Sequence, residues 1–559
     1  MKAVNQSSEV LNRKLHAKTW AEMATRTFKI GDVVTLRGHT NNGVGGGLLI
    51  AVNSAGLTAD NGFISVTASA GIYLRRDNPK KTPYEFGFID GGADVSITAN
   101  ACTVAHGELN LDGGKTYDLQ KQLNVIKLRA VGGARATLNL TSPTGNGIWS
   151  GPTSEFVNTA AVMCIGAVGS PLEGADVRDI NIQCNKMRIF GNGTGVKGFM
   201  FVRCRGFKQS SCAVTNCASY AFWDYDVNAT GTTYCSGVRD NCWATDSAVS
   251  FEQVNCRGIV LTNCHGYLSA AVGPYVPEAI FHAYGGSDMR VVYDNCTGIA
   301  DGVCPAVFSI LNECKNISVR NCKFINNYNA GAAVASAVYF EPAGGNFSGI
   351  NFDNCELSSS YWAAVIIGPG LLGSVDALIN FNDCKISGKS IGVAISGTGG
   401  NYTFTNCNSL GTSIGGATAF GLKNEGVSNT VRYLFGRLTA TGGPSPQASN
   451  LSSSSIYGTI QIPASVQSRV IRQQKIEEET FLNQVDHASV VVAFQWATLP
   501  TSKIKVSAMI NAAGAVNGAA AAGQAVAISY IILGDQNIRL YAPLAAAGRK
   551  VGYEITEYE

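Results

Sequence analysis

The sequence predicts an all-β chain dominated by a parallel β-helix, and three observations carry that prediction. An Asn-Cys corner recurs. Its copies end at Cys184, Cys204, Cys217, Cys242, Cys264, Cys296, Cys322, Cys355, Cys384 and Cys407, at steps of 20, 13, 25, 22, 32, 26, 33, 29 and 23 residues, with Gln183, Arg203 and Asp383 in place of the Asn in three of them. Periods of two to three dozen residues are the mark of a solenoid. The residues before each corner, as in INFDNC and ISVRNC, alternate apolar and polar with the period of a strand. A second repeated strand follows each corner, with copies starting at Ala221, Ala248, Ala279, Ala306, Ala337, Ala364 and Gly392, at steps of 27, 31, 27, 31, 27 and 28. Two registers with one period require coils that stack, because no single coil can bury its apolar side alone.

Each part of the corner has a physical reason. Asn tolerates left-handed backbone and its amide bonds nearby backbone. Stacked coil on coil, it also reaches its own copy. Cys beside it is a small, soft, buried filler. The 17 cysteines are odd in number and mostly hold one repeat position, so they are expected as reduced thiols rather than disulfides. Without a C-x-x-C pair or accompanying histidines they do not form a zinc site, and no metal or cofactor is expected.

Composition agrees. Hydrophobic residues make up 45%, charged ones only 14%, and Gly numbers 64, as suits a β chain rich in tight turns. The net charge of +3, with no dense basic cluster, gives no reason to expect nucleic acid. No run is long enough for a membrane span, and the N-terminus has no apolar signal-peptide core.

In chain order, residues 1–27 are expected as a helical attachment segment, with Leu11, Leu15, Trp20 and Met23 on a rough apolar face. Residues 28–84 form a small β module with a Gly-rich turn. Residues 85–440 form the β-helix, 441–458 a Pro/Ser/Gly linker, and 459–559 a compact β-sandwich of short strands.

At the entrance to the solenoid stands EFGFIDGGADVSITANA, followed by a strand beginning Lys115-Thr116-Tyr117. Through Phe86, Gly87, Gly91, Asp94 and Ala99 this stretch resembles bacteriophage tailspikes of the pectate-lyase-like β-helix group. Phe88 and Asp90 depart from that pattern. The resemblance covers roughly 28–410 and is specific for the fold and the spike context; it says little of the substrate, because in those spikes the motif caps the solenoid and lies remote from catalysis. It implies a right-handed helix and a homotrimer. It also implies binding and cutting of a bacterial surface polysaccharide, capsule or O-antigen, by a protein of the virion tail. The short N-terminal part is expected to dock on the phage tail or an adaptor protein.

The site must lie on the outer face of the solenoid. In the second strand set Val249, Phe251, Val338, Phe340, Val365, Ile367, Val393 and Ile395 share the inward parity. Trp223, Tyr225, Ser250, Glu252, Phe281, Tyr339 and Glu341 have the outward parity. Exposed aromatics mark a face that is covered or that binds something. Interleaved with carboxylates, they suit a glycan groove, and a trimer contact would also cover them. Two turns of 14 residues, 265–278 and 323–336, flank this face where sibling turns hold 3 to 9; the first brings Tyr275 to the rim. Trp223, Tyr225, Phe281, His282, Tyr339 and Tyr275 are therefore the expected sugar contacts. Glycoside hydrolysis needs two carboxyls, and the inverting arrangement separates them by about 6.5–9.5 Å. Glu252 and Glu341 lie three coils apart, roughly 14 Å. Asp226, one coil from Glu252, is the expected partner if it splays outward. Asp224 and His282 have inward parity on this reading; Asp224 is a further catalytic candidate that needs a bulge to take part, and Glu341 is one for a separate subsite. The competing activities are a polysaccharide lyase, with Tyr225, His282 or Arg290 as base, and a glycan-binding fibre without catalysis.

Overall fold

The computed structural model describes residues 14–39, 45–60, 62–90, 94–142, 148–149, 159–189, 195–226, 234–269, 277–285, 288–312, 314–329, 335–341, 347–368, 378–412, 419–426 and 429–441, and the backbone of strands between 447 and 558. The chain forms two compact units, 1–225 with 232–247, and 226–231 with 248–559.

The first unit opens with a five-stranded sheet. Lys14–Ala17 runs parallel to Val33–Gly38, and Gly45–Asn53, Ile72–Arg76 and Ile64–Val66 continue it antiparallel. Its core gathers Trp20, Met23, Phe28, Val34, Leu36, Leu49, Ala51 and Leu74. The expected N-terminal helix shrinks to Trp20–Ala24, because Leu15 and its neighbours pair as a strand; residues before 14 lie outside the described residues. Thr19 caps the short helix, accepting from the Glu22 amide at 3.3 Å. The tailspike-like stretch becomes a 3-10 turn, Pro83–Phe86, and a helix, Ser96–His106. One Asp94 oxygen accepts from the amides of Ser96 and Gln120, both at 3.0 Å, and so ties helix to solenoid.

Coils of a right-handed parallel β-helix follow. In the first unit Thr116–Leu119, Ala136–Leu140, Ile180–Gln183, Ala213–Thr215 and Trp243–Thr245 pair in succession, all parallel. So do Leu123–Asn124, Ala160–Ile165, Lys197–Val202 and Tyr220–Tyr225. In the second unit the third strand of each coil stacks from Val249–Val254 through Ala279–Tyr284, Ala306–Leu311, Ser336–Glu341, Ala363–Ile367 and Ile391–Ile395 to Phe420–Asn424.

The corners work as their chemistry dictates. Asn263, Asn295, Asn321, Asn354 and Asn406 all have φ between 52° and 54°, and Asp383 takes the same conformation at 53°. Their side chains climb the stack: Asn295 donates to Asn263 at 2.6 Å, Asn354 to Asn321 at 2.9 Å, and Asn406 to Asp383 at 2.6 Å. All 17 cysteines are free and buried. Burial pushes the Cys304 thiol up to about 12. Within the second unit Phe352, Phe381, Phe404 and Tyr433 form an interior column, with centroids 4.8, 5.0 and 5.4 Å apart and interplanar angles of 10°, 5° and 22°. Each such pair contributes about 0.5–1.5 kcal/mol beyond its burial.

Parallel pairing runs on past 441. Within the stretch expected as a linker, Gln447–Ser449 pairs with Phe420–Asn424 and Ser455–Gln461 with Thr430–Thr441. The remainder forms two antiparallel sheets. One joins Val470–Thr480, Lys550–Tyr558 and Lys503–Asn511; the other joins Leu482–Asn483, Ala488–Ala493, Asn537–Ala542 and Ser529–Ile532.

Candidate functional site

In the second unit, stacking of Phe251 on Phe281 and pairing of Phe281 with Phe308 and of Phe308 with Val338 fixes which residues face the interior. One step along, Glu252, His282, Ser309 and Tyr339 stand in a single column. Two steps further, Val254, Tyr284, Leu311 and Glu341 form the next. Strand alternation turns both columns away from the phenylalanine core.

This register corrects the parity expected for Ala279–Tyr284. Phe281, expected outside as a sugar contact, is fully buried with its ring 5.0 Å from that of Phe251. His282, expected inside, shares the column of Glu252. Val249, not Ala248, is level with Ala279, and a slip of one residue exchanges the two faces of a strand.

The column holds a buried acid–imidazole contact. His282 Nδ1 lies 3.3 Å from Glu252 Oε1, with the two side chains 8% and 6% exposed. The contact is an ion pair rather than an aligned hydrogen bond, and both imidazole nitrogens are buried without a hydrogen-bond partner. Burial pulls the imidazolium down. Glu252, then the charges of Glu341 and Glu278, outweigh it, and His282 titrates above the ordinary 6.5. Ser309 donates to Glu341 Oε1 at 2.6 Å. Burial, then Glu341, raises the Tyr339 phenol. An imidazole beside a carboxylate can hold and pass a proton at Nε2.

Asp226 is 1% exposed, and its amide donates to Val254 O at 3.1 Å, so it meets this strand two residues beyond Glu252. Tyr275 and the tips of both long turns lie outside the described residues. Among the described residues no cluster of His, Cys, Asp and Glu could hold a metal ion, and no helix is long and apolar enough to cross a membrane.

In the first unit Trp223 and Tyr225 are half-buried and stacked at 4.8 Å, and Tyr220 stacks on Trp223 at 5.4 Å. Ala160, Met163, Met200 and Val202 form the apolar base against which Trp223 and Tyr225 pack. Asp224 turns inward and is consumed there. It accepts two hydrogen bonds at 2.8 Å from Arg239, both side chains being fully buried. Arg239 also donates to Gln209 at 2.8 Å. The sequence reading assigned no partner to Asp224, and Arg239 was missed although it stands at the inward position of its own strand.

No family model matches the chain, and no curated protein matches it. Among solved structures it is similar to the enzymatically active domain of tailspike protein 2 of bacteriophage CBA120. The identity is 11%, the match covers 100% of this chain and 87% of that one, and the TM-score is 0.44. It is also similar to a mutant tailspike protein of E. coli bacteriophage HK620 in complex with a pentasaccharide, at 11% identity over 88% of this chain and 96% of that one, TM-score 0.47. A third is tailspike gp49 from Acinetobacter baumannii bacteriophage Fri1, a capsular polysaccharide depolymerase. There the identity is 12%, 98% of each chain is covered, and the TM-score is 0.37.

Proposed function

We propose that this chain is a phage tailspike that binds a bacterial surface polysaccharide and cuts it as an endo-glycosidase. The observation that carries the reading is His282. It is a buried imidazole whose Nε2 has no hydrogen-bond partner among the described residues, on a column turned away from the core, with Glu252 beside it and Glu341 in its field. A buried polar nitrogen left open is costly unless something else satisfies it, and a glycosidic or attacking oxygen is such a group.

Glu252 acts on the water. His282 Nδ1, 3.3 Å from Glu252 Oε1, holds the carboxylate in place for that general-base role. Asp226 is the second carboxyl and delivers the proton to the leaving oxygen. Proton handling of this kind contributes about 10²–10⁴-fold. Glu341, held by Ser309, and Tyr339 line the approach. The stacked Tyr225 and Trp223 of the first unit form a sugar-binding surface separate from these groups. The protein works as a homotrimer on the virion tail, attached through the tail or an adaptor, and needs no cofactor.

A lyase is the second reading. An imidazole that is neutral above its raised pKa is also a base for abstracting a proton beside a uronate carboxyl. Incubation with host polysaccharide separates the readings. New reducing ends without the ultraviolet absorbance of an unsaturated uronate mark the hydrolase. New absorbance marks the lyase, and unchanged chain length refutes both.

A further inference from the structure

The column that holds Glu252 and His282 continues past Tyr339. Within the second unit the pairing carries it through Ser309 and Tyr339 to Ile366, Ala394 and Lys423. Its character changes on the way. Beyond Tyr339 it turns apolar. Ile366 and Ala394, with Ile391 beside them, form a buried floor, and Tyr339, Trp362 and Phe420 pack against it as half-buried rings. The carbonyl of Trp362 accepts from the Ser390 and Ile391 amides at 2.9 and 3.0 Å, which ties that residue to the next coil. The strands Ala363–Ile367 and Ile391–Ile395 contain no ionisable or hydrogen-bonding side chain. At the far end Lys423 is engaged with Glu425 and lies 5.8 Å from the centroid of the Phe420 ring.

The dimensions suit a chain. Each coil rises about 4.8 Å. Tyr339 stands two coils from His282, Trp362 three and Phe420 five, so the rings span roughly 14 Å along the solenoid. The strip is long and only one or two side chains wide, the footprint of an extended polymer rather than of a flat protein face. It is continuous with the acid–imidazole contact, so a protein partner sealing the strip would approach His282 as well. Aromatic rings take the apolar face of a sugar. A floor without polar groups leaves a carboxylate unpaired, which is costly.

We propose that this strip is a polymer track for the site, holding about three consecutive uncharged sugar units against Tyr339, Trp362 and Phe420 on the C-terminal side of the Glu252–His282 contact. The inference rests on the polysaccharide reading above. It adds a direction along the solenoid and a substrate class, a polymer with a run of neutral units next to the bond that is cut.

The test reads binding of the full chain to a panel of purified bacterial capsular and O-antigen polysaccharides. The panel runs from wholly neutral polymers to ones in which every second unit is a uronate. For a retained polymer, a ladder of fragments made by partial acid hydrolysis gives affinity against length. The expected result is retention of at least one polymer with about three or more neutral units in succession. Its affinity should climb with fragment length until a fragment reaches from His282 to Phe420, then level off. Trp362→Ala and Phe420→Ala are each expected to weaken binding roughly 10- to 30-fold, and Trp362→Phe, which keeps a ring, to lose less. Thermal midpoints report whether the variants fold, and the wild-type ladder stands even if one does not. A folded Trp362→Ala that binds as wild type overturns the proposal, and so does an affinity independent of length. Tight, Trp362-dependent binding of the alternating uronate polymer overturns it too. Retention of nothing on the panel does the same, as expected if another copy of the chain covers the strip. Because binding is read rather than cleavage, the two readings fail separately. A chain that cuts a polymer equally well without Trp362 refutes the track alone. One that holds the polymer through Trp362 without shortening it refutes the depolymerase alone.

Discussion

Arg239→Met is the most informative single change in the solenoid interior. The guanidinium makes two 2.8 Å bonds to Asp224 and one to Gln209, with neither member of the ion pair exposed to water. It also lies 5.1 Å from the ring centroid of Phe222 and 5.7 Å from that of Phe207. Removing it leaves a carboxylate in the core opposite a thioether. Stranding one member of a buried pair costs about 3–5 kcal/mol. Replacing both members with apolar residues of similar volume is close to neutral. In the double variant Asp224→Leu/Arg239→Met, Gln209 still loses its donor, at about 1 kcal/mol. The single change is therefore the more harmful one, by about 2–4 kcal/mol. The assay is the guanidinium midpoint of wild type, both singles and the double, followed by far-ultraviolet circular dichroism, with the slope checked for constancy. A single variant as stable as wild type, or a double no better than Arg239→Met, would refute the claim that the pair is held by mutual compensation.

Other consequences can be measured directly. His282 titrates above 6.5 in the folded chain, so its contribution to stability is complete below that pH and fades as pH rises through the folded value. His282→Gln should abolish that alkaline loss in a pH series of melting curves, and should lower depolymerase turnover about 10²-fold or more. Asn354 is left-handed at φ 52° and donates to Asn321. Asn354→Ala is expected to cost about 2 kcal/mol, from αL strain plus the lost bond. Asn354→Gly keeps the backbone and should cost about half as much, so equal losses in the two midpoints would show that backbone conformation plays no part. A thiol reagent should find none of the 17 buried cysteines in the folded protein and all of them in denaturant; rapid native labelling contradicts the packed ladder.

Much of the fold was legible because its repeat is a physical constraint written many times. Cys264, Cys296, Cys322, Cys355, Cys384 and Cys407 sit at successive corners, and each preceding residue is left-handed Asn or, at 383, Asp. One copy is weak evidence, but six cannot all be satisfied without stacking. The N-terminal region has no such redundancy. Leu11, Leu15, Trp20 and Met23 fit a helical stripe, yet Leu15 lies in a strand edge-paired with Val33–Gly38, because a local period of four residues cannot report a partner strand that comes later. The helix Ser96–His106 was missed for a similar reason. Its β-branched Ile97, Thr98, Thr103 and Val104 weaken the helical signal of its alanines, and it rests on Ala99 and Cys102 against the first coil.

The site was legible to the face but not to the residue, and the interior shows what the missing signal was. Counting from alanine put Ala248 level with Ala279 and so turned His282 inward and Phe281 outward. Counting from the phenylalanines would have placed Phe251, Phe281 and Phe308 in one column, as they are. Large rings tolerate no alternative register, whereas a small residue at a strand end does. The same rule exposes Arg239. Three residues before the corner cysteine stand Leu261, Tyr293, Val319, Phe352, Phe381 and Phe404, all fully buried. At Cys242 that position is arginine. A cation in a column of core residues demands an anion of inward parity within reach, and Tyr220–Tyr225 contains one, Asp224. Asp224, a catalytic candidate in the sequence, is thus taken up by the buried pair with Arg239. Once the rings set the register, the carboxylate with an open imidazole beside it on this face is Glu252.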